Sequence, residues 1–353
     1  MPGRVFQIRP FNLQGALPAE YAALNRYTNR IRLERLPDDP PISVEETTQN
    51  LQSIPSFVEL KLWAAWSAGG DEILAQGNVG FLLTEENQHL AQFDVTVLPE
   101  YRRQGMGRQF LALIAAAAQQ ENRRLLIANT VDRIPGGEAF MARMGAQQGL
   151  VAHTNQLRIA DLNLSLLADW LVQGQRHLAE FELGFWNGAY PEDNLQQVAD
   201  LYELVNQQPL GDLEIEDEHT TPARLRQMEN NLFATGNQRW TFYLVQRATG
   251  QFAGYTEASW HPNRPQLLMQ MMTGVFPQFR SQGLGRWLKA AMFDKVLREH
   301  PQVTFVRTTN ADSNAAMLKI NTELGFKPYF ASAFWQVELA RVLSYLQSSR
   351  SNQ

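Results

Sequence analysis

The chain has 353 residues, more than a single domain needs at roughly 150 residues per domain, and its 44% hydrophobic and 10% aromatic content can fill a core in each half. A net charge of −5 argues against a nucleic-acid partner, whose binding is dominated by cationic contacts, and mildly favours an amine-bearing or cationic ligand. Without cysteine there are no disulfides, no thiol catalysis and no cysteine-held metal; Met1-Pro2-Gly3-Arg4-Val5 has no apolar signal core and no run is long enough to span a bilayer, so a cytoplasmic protein with no membrane partner is expected.

Val5 to Pro10 reads as a first strand and residues 19–31 as a helix. A breaker cluster at Leu36-Pro37-Asp38-Asp39-Pro40-Pro41 precedes a helix start at Ser43, with Glu46 placed for a capping box. Strands are expected at 57–66, 73–83 and 90–97, then a helix over 107–121, a strand at 125–129 and a short helix at 139–143 ending at Gly145. Residues 163–177 read as a linker helix, with Leu164, Leu167, Trp170 and Leu171 spaced to pack across both domains. The second half repeats the order: strand 178–186, helices 195–206 and 222–234, strands 240–247, 252–260 and 267–275, helix 284–298, strand 303–308, and helix 314–323 capped by Gly325.

A glycine turn stands at the same place in each half. Val97-Leu98-Pro99-Glu100-Tyr101-Arg102-Arg103-Gln104-Gly105-Met106-Gly107-Arg108 is matched by Val275-Phe276-Pro277-Gln278-Phe279-Arg280-Ser281-Gln282-Gly283-Leu284-Gly285-Arg286. Gly105 and Gly283 are 178 positions apart, Gly145 and Gly325 are 180 apart, and keeping register over a whole domain is what a duplication predicts. The domains expected are 1–162, a linker helix at 163–177, and 178–353.

A strand that turns through glycines into a helix aims free backbone N–H groups and the positive end of the helix dipole at one spot, which suits phosphate or pyrophosphate. A P-loop is excluded, because Gly107 and Gly285 are followed by Arg108-Gln109 and Arg286-Trp287 rather than Lys-Ser/Thr. A dinucleotide fingerprint is excluded, because Phe110 and Leu288 stand where its third glycine belongs.

What remains, Arg-x-x-Gly-x-Gly after a strand ending in Val-x-Pro, resembles the acyl-CoA motif of the GCN5-related N-acetyltransferases, the GNAT superfamily. Asn310-Ala311-Asp312-Ser313-Asn314, leading through a helix to Leu324-Gly325-Phe326-Lys327-Pro328, resembles the family's second motif. The tandem organisation is similar to that of mycothiol synthase. The resemblance implies an α/β fold of the α+β type: two tandem GNAT folds, each a mixed, mainly antiparallel sheet with flanking helices and a splayed cofactor-binding strand pair. It implies acetyl-CoA as cofactor, no metal, a small-molecule amine acceptor, and a monomer or homodimer.

By that resemblance the second-half cofactor site is Gly274, Val275, Arg280, Ser281, Gln282, Gly283, Leu284, Gly285, Arg286, Asn310 and Asn314. In the first half it is Val97, Arg102, Arg103, Gln104, Gly105, Met106, Gly107 and Arg108. The first half keeps Asn129 but has no second asparagine and ends in Met144-Gly145-Ala146, so its motif is partly degraded and the second half is expected to be catalytic.

Direct attack of an amine on a thioester needs a carbonyl donor, for which the N–H groups near Val275 are placed, and a base. Glu257, on the strand before the cofactor strand, is the first choice of base; a solvent-facing strand residue is the equal alternative. The family tyrosine that protonates the thiolate is absent, since Asn321 and Met141 stand there, and Tyr329 or Tyr255 are substitutes or merely packing. Asp212, Glu214 and Glu216, His261 and Met271 are candidate acceptor contacts, against the plainer readings of solvated loop and core. A non-catalytic acyl-CoA sensor, or a protein or peptide N-acetyltransferase, are the alternatives.

Overall fold

The computed structural model describes residues 6–348, so Val5 at the head of the expected first strand, and the opening segment before it, lie outside the described residues. In chain order the elements are β1 (Gln7–Pro10), α1 (Pro18–Arg35), α2 (Val44–Gln52), β2 (Val58–Trp66), β3 (Ile73–Leu82), β4 (Leu90–Val97), α3 (Met106–Gln120), β5 (Leu125–Val131), α4 (Gly136–Arg143), β6 (Gln147–Arg158) and α5 (Leu164–Gln175). They continue with β7 (Phe181–Asn187), α6 (Leu195–Tyr202), α7 (Pro222–Ala234), β8 (Gln238–Gln246), β9 (Phe252–Trp260), β10 (Leu267–Val275), α8 (Leu284–Glu299), β11 (Phe305–Ala311), α9 (Ala315–Leu324), β12 (Lys327–Glu338) and α10 (Leu339–Ser348).

The caps legible in the sequence form. Ser43 Oγ accepts from Glu46 N–H at 3.0 Å to start α2, and Gly325 ends α9 at φ 105°, where a Cβ would be strained.

The chain divides into two units, and the division does not follow a single cut along the sequence. One unit holds Met1–Val151, Leu210–Glu216 and Ser332–Gln353; the other holds Ala152–Pro209 and Asp217–Ala331. Against the expected boundary at 162, residues 152–162 fall in the second unit, and against the expected second domain, residues 210–216 and 332–353 fall in the first. The reason is strand pairing. Ser332–Glu338 of β12 pairs antiparallel with β5, and Ala333, Trp335 and Val337 enter the first unit's core with Leu339 and Val342 of α10. Residues 152–158 of β6 pair antiparallel with β11, and Leu157 enters the second unit's core.

The first unit's sheet runs β1-β2-β3-β4-β5-β12. Phe110, Leu111 and Ile114 of α3 pack on one face and Tyr21, Leu24 and Tyr27 of α1 on the other. Gly77 of β3 is glycine because a Cβ there would come within 2.6 Å of the Phe110 ring.

The second unit's sheet runs β6-β11-β10-β9-β8-β7. Its α8 packs on one face with α5, whose Leu167 and Trp170 are buried, and α6 on the other. The expected linker helix is thus a core element of this unit. Its Gly174 lets α5 close on α8, for a Cβ would meet Trp287 at 2.2 Å.

Candidate active site

In the second unit, β10 leads through a short 3-10 turn at Pro277–Phe279 into α8. Gly283, the N-cap, sits at φ 86° and Ser281 at φ 63°, the left-handed region that glycine adopts freely. No side chain caps the helix, and the first helical bond is Trp287 N–H to Gly283 O at 3.0 Å. Among the described residues, none of the six N–H groups from Ser281 to Arg286 donates a hydrogen bond. Ser281 and Gly283 to Arg286 line a cleft of about 430 Å³ bounded also by Gly274 and Val275 of β10 and by Asn314, Met317 and Ile320. Asn314 Oδ1 accepts from Met317 N–H at 3.3 Å to cap α9, and Asn314 also lines the cleft.

Arg280 lines the same cleft and also braces the turn. Its Nε donates to Val275 O at 2.9 Å and its Nη2 to Gln207 Oε1. The first turn repeats the device: Arg102 Nε donates to Val97 O at 3.0 Å and Nη1 to Glu34 Oε1 at 2.7 Å. Arg286 reaches Glu323 at 3.1 Å.

The sheet opens beside the cleft. The parallel pairing of β10 with β11 ends at Met269 and Arg307, and the remaining six residues of β10 have no partner there. On the other side, β10 pairs with β9 until Gln270–Ala258 and resumes at Thr273–Thr256. Met271 and Met272 therefore stand against Glu257 alone, a β-bulge that leaves one backbone unit outside the ladder.

Glu257 is buried opposite that bulge at 8% exposure. Its Oε2 accepts from Tyr202 Oη at 3.0 Å and from Tyr190 Oη, while Oε1 has no hydrogen bond within the described protein. Burial, and then the Glu257 charge, push both phenols well above their ordinary range, so they stay protonated donors. Tyr190 is held in turn: its N–H donates to Glu229 Oε1 at 2.8 Å, and the Arg239 guanidinium, paired with Glu229, lies 3.6 Å over its ring. Neither tyrosine stands out in the sequence, since each comes from the irregular α6 region rather than from a motif.

The first unit has a related site. The N–H groups from Arg103 to Arg108 are likewise without hydrogen bonds, Gly105 has φ 83°, and the cleft is about 400 Å³. Arg103 is exposed and forms no ion pair among the described residues, whereas Arg108 donates to Leu346 O. The β4–β5 pairing stops at Gln92–Ile127, so these strands part too. Two differences separate it from the second unit. The β3–β4 register is unbroken from Gly80–Gln92 to Ala75–Val97, so there is no bulge. A carboxylate, Asp94, lines the strand gap with Arg35, Asn129 and Thr96, and burial raises its pKa above the ordinary carboxylate value against the pull of Arg35.

Of the other expected residues, Asp212, Glu214, Glu216 and His261 do not line the second unit's cleft. Asp212, Glu214 and Glu216 lie in Leu210–Glu216, which belongs to the first unit. Glu214 pairs with Arg124 at 2.6 Å, Glu216 accepts from Asn87 N–H at 2.6 Å, and Asp212 O accepts from Gln336 Nε2 at 2.9 Å. Both ring nitrogens of His261 are engaged, Nδ1 accepting from Asn263 N–H at 3.0 Å and Nε2 bonding Thr235 O at 2.9 Å. Tyr329 lies against the Arg307 guanidinium, 4.4 Å from its ring centroid, and does not line the cleft. Tyr255 is buried among the α6 residues. Met271 is 48% exposed on the bulge.

Two units, each with a mainly antiparallel sheet, a parallel pair that parts and a glycine turn opening a helix, have the architecture of a tandem GNAT fold. The chain's architecture is similar to that of a tandem GNAT protein from the clavulanic acid biosynthesis pathway, solved without acetyl-CoA (25% identity, TM-score 0.76, 95% of this chain and 99% of that one). The fold is also shared with a GCN5-related N-acetyltransferase from Sphaerobacter thermophilus (13% identity, TM-score 0.66, 96% of this chain and 97% of that one). A third likeness is to a GCN5-related glucosamine N-acetyltransferase region of a fungal multi-domain β-N-acetylglucosaminidase (12% identity, TM-score 0.63, 96% of this chain and 38% of that one). No family model and no curated protein matches the sequence. Among the described residues no helix is long and apolar enough to cross a membrane.

Proposed function

We propose that the second unit is an acetyl-CoA-dependent N-acetyltransferase centre that acylates a primary amine of a small molecule. The observation that carries this reading is the run of N–H groups from Ser281 to Arg286, unpaired among the described residues, in a turn of which Ser281 and Gly283 to Arg286 line a cleft beside a parted strand pair. Such a run is a ready-made anion site, and the pyrophosphate of coenzyme A fits it. Acetyl-CoA, when bound, would supply the acyl group as a thioester and leave as the coenzyme A thiol. Asn314 and the unpaired edge of β10 offer hydrogen bonds to the amides of its pantetheine arm.

Glu257 is the base in this reading. Its free Oε1 takes the proton that the acceptor ammonium must lose, while Tyr190 and Tyr202 hold the carboxylate in place through Oε2. The backbone unit released by the Met271–Met272 bulge supplies a donor for the acyl oxygen. The exposed side chains of Met269 and Met271 give the acceptor an apolar, adaptable surface.

The first unit binds the same donor through Arg103 to Arg108, but its unbroken β4 lacks the bulge that supports transfer. Titration calorimetry with acetyl-CoA, followed by an amine panel assayed for free thiol, tests the reading. Binding with thiol release that depends on one class of amine supports it. No acetyl-CoA binding contradicts it.

A further inference from the structure

A lysine buried without a carboxylate partner is unfavourable unless its neighbours make use of it. Lys289, six residues after Gly283 in α8, is 1% exposed, and its one side-chain hydrogen-bond partner among the described residues is Asn321, whose Oδ1 accepts from Nζ at 2.7 Å. Asn321 is also 1% exposed, and its Nδ2 donates to Asn310 Oδ1 at 2.7 Å. The three side chains form a single file from the interior of the second unit to β11.

The polarity of this file is set from its buried end. Lys289 Nζ donates to Asn321 Oδ1, and in its charged form it can only donate. Asn321 must therefore turn its oxygen to Lys289 and its nitrogen to Asn310. Asn310 must then turn its oxygen inward, which leaves its N–H₂ facing outward. An asparagine amide has no such preference by itself, since either end can be turned. Asn310 is half-exposed on β11, three residues past the last pair that joins β11 to β10, and its Nδ2 makes no hydrogen bond among the described residues.

We propose that Lys289 is a positioning residue for the acyl donor: acting through Asn321, it holds the Asn310 amide with both N–H groups toward the opening between β10 and β11, where they donate to the thioester end of the acyl-pantetheine arm. The inference rests on the acetyl-CoA reading above. It gives Asn321 a function at the position where the resemblance leads one to expect a tyrosine. The donor to the leaving group then comes from β11, and α9 supplies the link that orients it. Packing alone does not call for this arrangement, because an apolar side chain of lysine's length fills the same space without a buried charge.

The probe is acetyl-CoA carrying ¹³C at its carbonyl, bound to the full chain. Lys289→Met keeps the volume and removes the donor. The expected variant is folded, with a melting temperature no lower than wild type, an acetyl-CoA affinity weakened about tenfold, as for one lost hydrogen bond to the ligand, and a bound carbonyl resonance shifted toward that of free acetyl-CoA. Lys289→Gln, whose amide can still donate, recovers most of both changes. Asn310→Leu gives the same loss, and the double variant adds little, because the two residues act as one unit. A folded Lys289→Met with wild-type affinity and an unmoved carbonyl resonance overturns the proposal, as does full additivity in the double variant. Should Lys289→Met not fold, Asn321→Leu breaks the same file and carries the same expectations. A wild-type chain with no affinity for acetyl-CoA overturns the underlying reading, and this inference with it.

Discussion

Tyr202 donates its hydroxyl to Glu257 Oε2 at 3.0 Å, while Glu257 Oε1 accepts nothing from the described protein. One oxygen is held and the other is available, which is the arrangement a base needs. Glu257→Gln is expected to lower turnover by about 10²-fold or more, the usual scale for a general base, with acetyl-CoA affinity unchanged. Tyr202→Phe removes one of two holding bonds and is expected to cost less, since Tyr190 remains. Steady-state kinetics beside calorimetry separate the two effects. Near-normal turnover in Glu257→Gln removes Glu257 from the chemistry.

The exchanged strands predict that neither half of the sequence is a domain. Removing 332–353 strips Trp335, Val337, Leu339 and Val342 from the first unit's core. Burying each such side chain is worth about 1.5–3 kcal/mol, and the sum rivals a typical whole stability of about 5–15 kcal/mol. Hydrogen exchange of the truncated chain is expected to show lost protection in β5 and α3. A truncation that leaves their protection intact contradicts the assignment of β12 to the first unit.

These two strands are also what the sequence reading misses. Gln147–Arg158 buries Thr154 and Asn155 beside Ala152 and Leu157, so no apolar alternation marks it. Thr154 is buried because it meets Thr309 at 2.9 Å, a partner no local pattern can reveal. The glycine turns were legible because each needs particular residues at fixed places: glycine at positive φ, and an arginine five positions after the strand's last residue to close on its carbonyl. The acidic segment Asp212 to Glu216 misled because its charges promise a ligand, whereas Arg124 and Asn87 take up Glu214 and Glu216. Glu257 could be named from its strand, but the tyrosines that hold it come from the α6 region, whose position depends on tertiary packing.

Asp94 gives the first unit a pH signature. Its folded pKa is raised by burial, so its contribution to stability is fully present below the unfolded value of about 3.9 and is lost as pH rises through the folded pKa. Asp94→Asn removes this dependence. The variant is expected to gain stability over wild type at pH 7 and to lose that gain near pH 3, followed by denaturant melts. A gain that is the same at both values contradicts a strained carboxylate in the β4–β5 gap.

Lys289 gives the second unit the opposite case. Burial lowers its pKa to about 7, so the unfolded chain takes up a proton that the folded chain does not as pH falls from about 10 to about 7. Wild type is expected to lose stability relative to Lys289→Met over that window, by up to about 1.4 kcal/mol per pH unit, with no further change below it. Parallel stability–pH curves for the two proteins contradict a lysine that is neutral when folded above pH 7.

The central claim is that the turn before α8 receives the phosphates of an acyl-CoA, and Gly283→Asp tests it most directly. The substitution places a carboxylate at the N-cap, among N–H groups that otherwise meet the anion; a Cβ there meets nothing within 4 Å but is strained at φ 86°, so the fold of the variant is checked first. Calorimetry of the folded variant is expected to show the loss of one acetyl-CoA site, with any binding at the first turn, Arg103 to Arg108, retained. Unchanged stoichiometry and affinity in a folded Gly283→Asp protein would contradict the assignment.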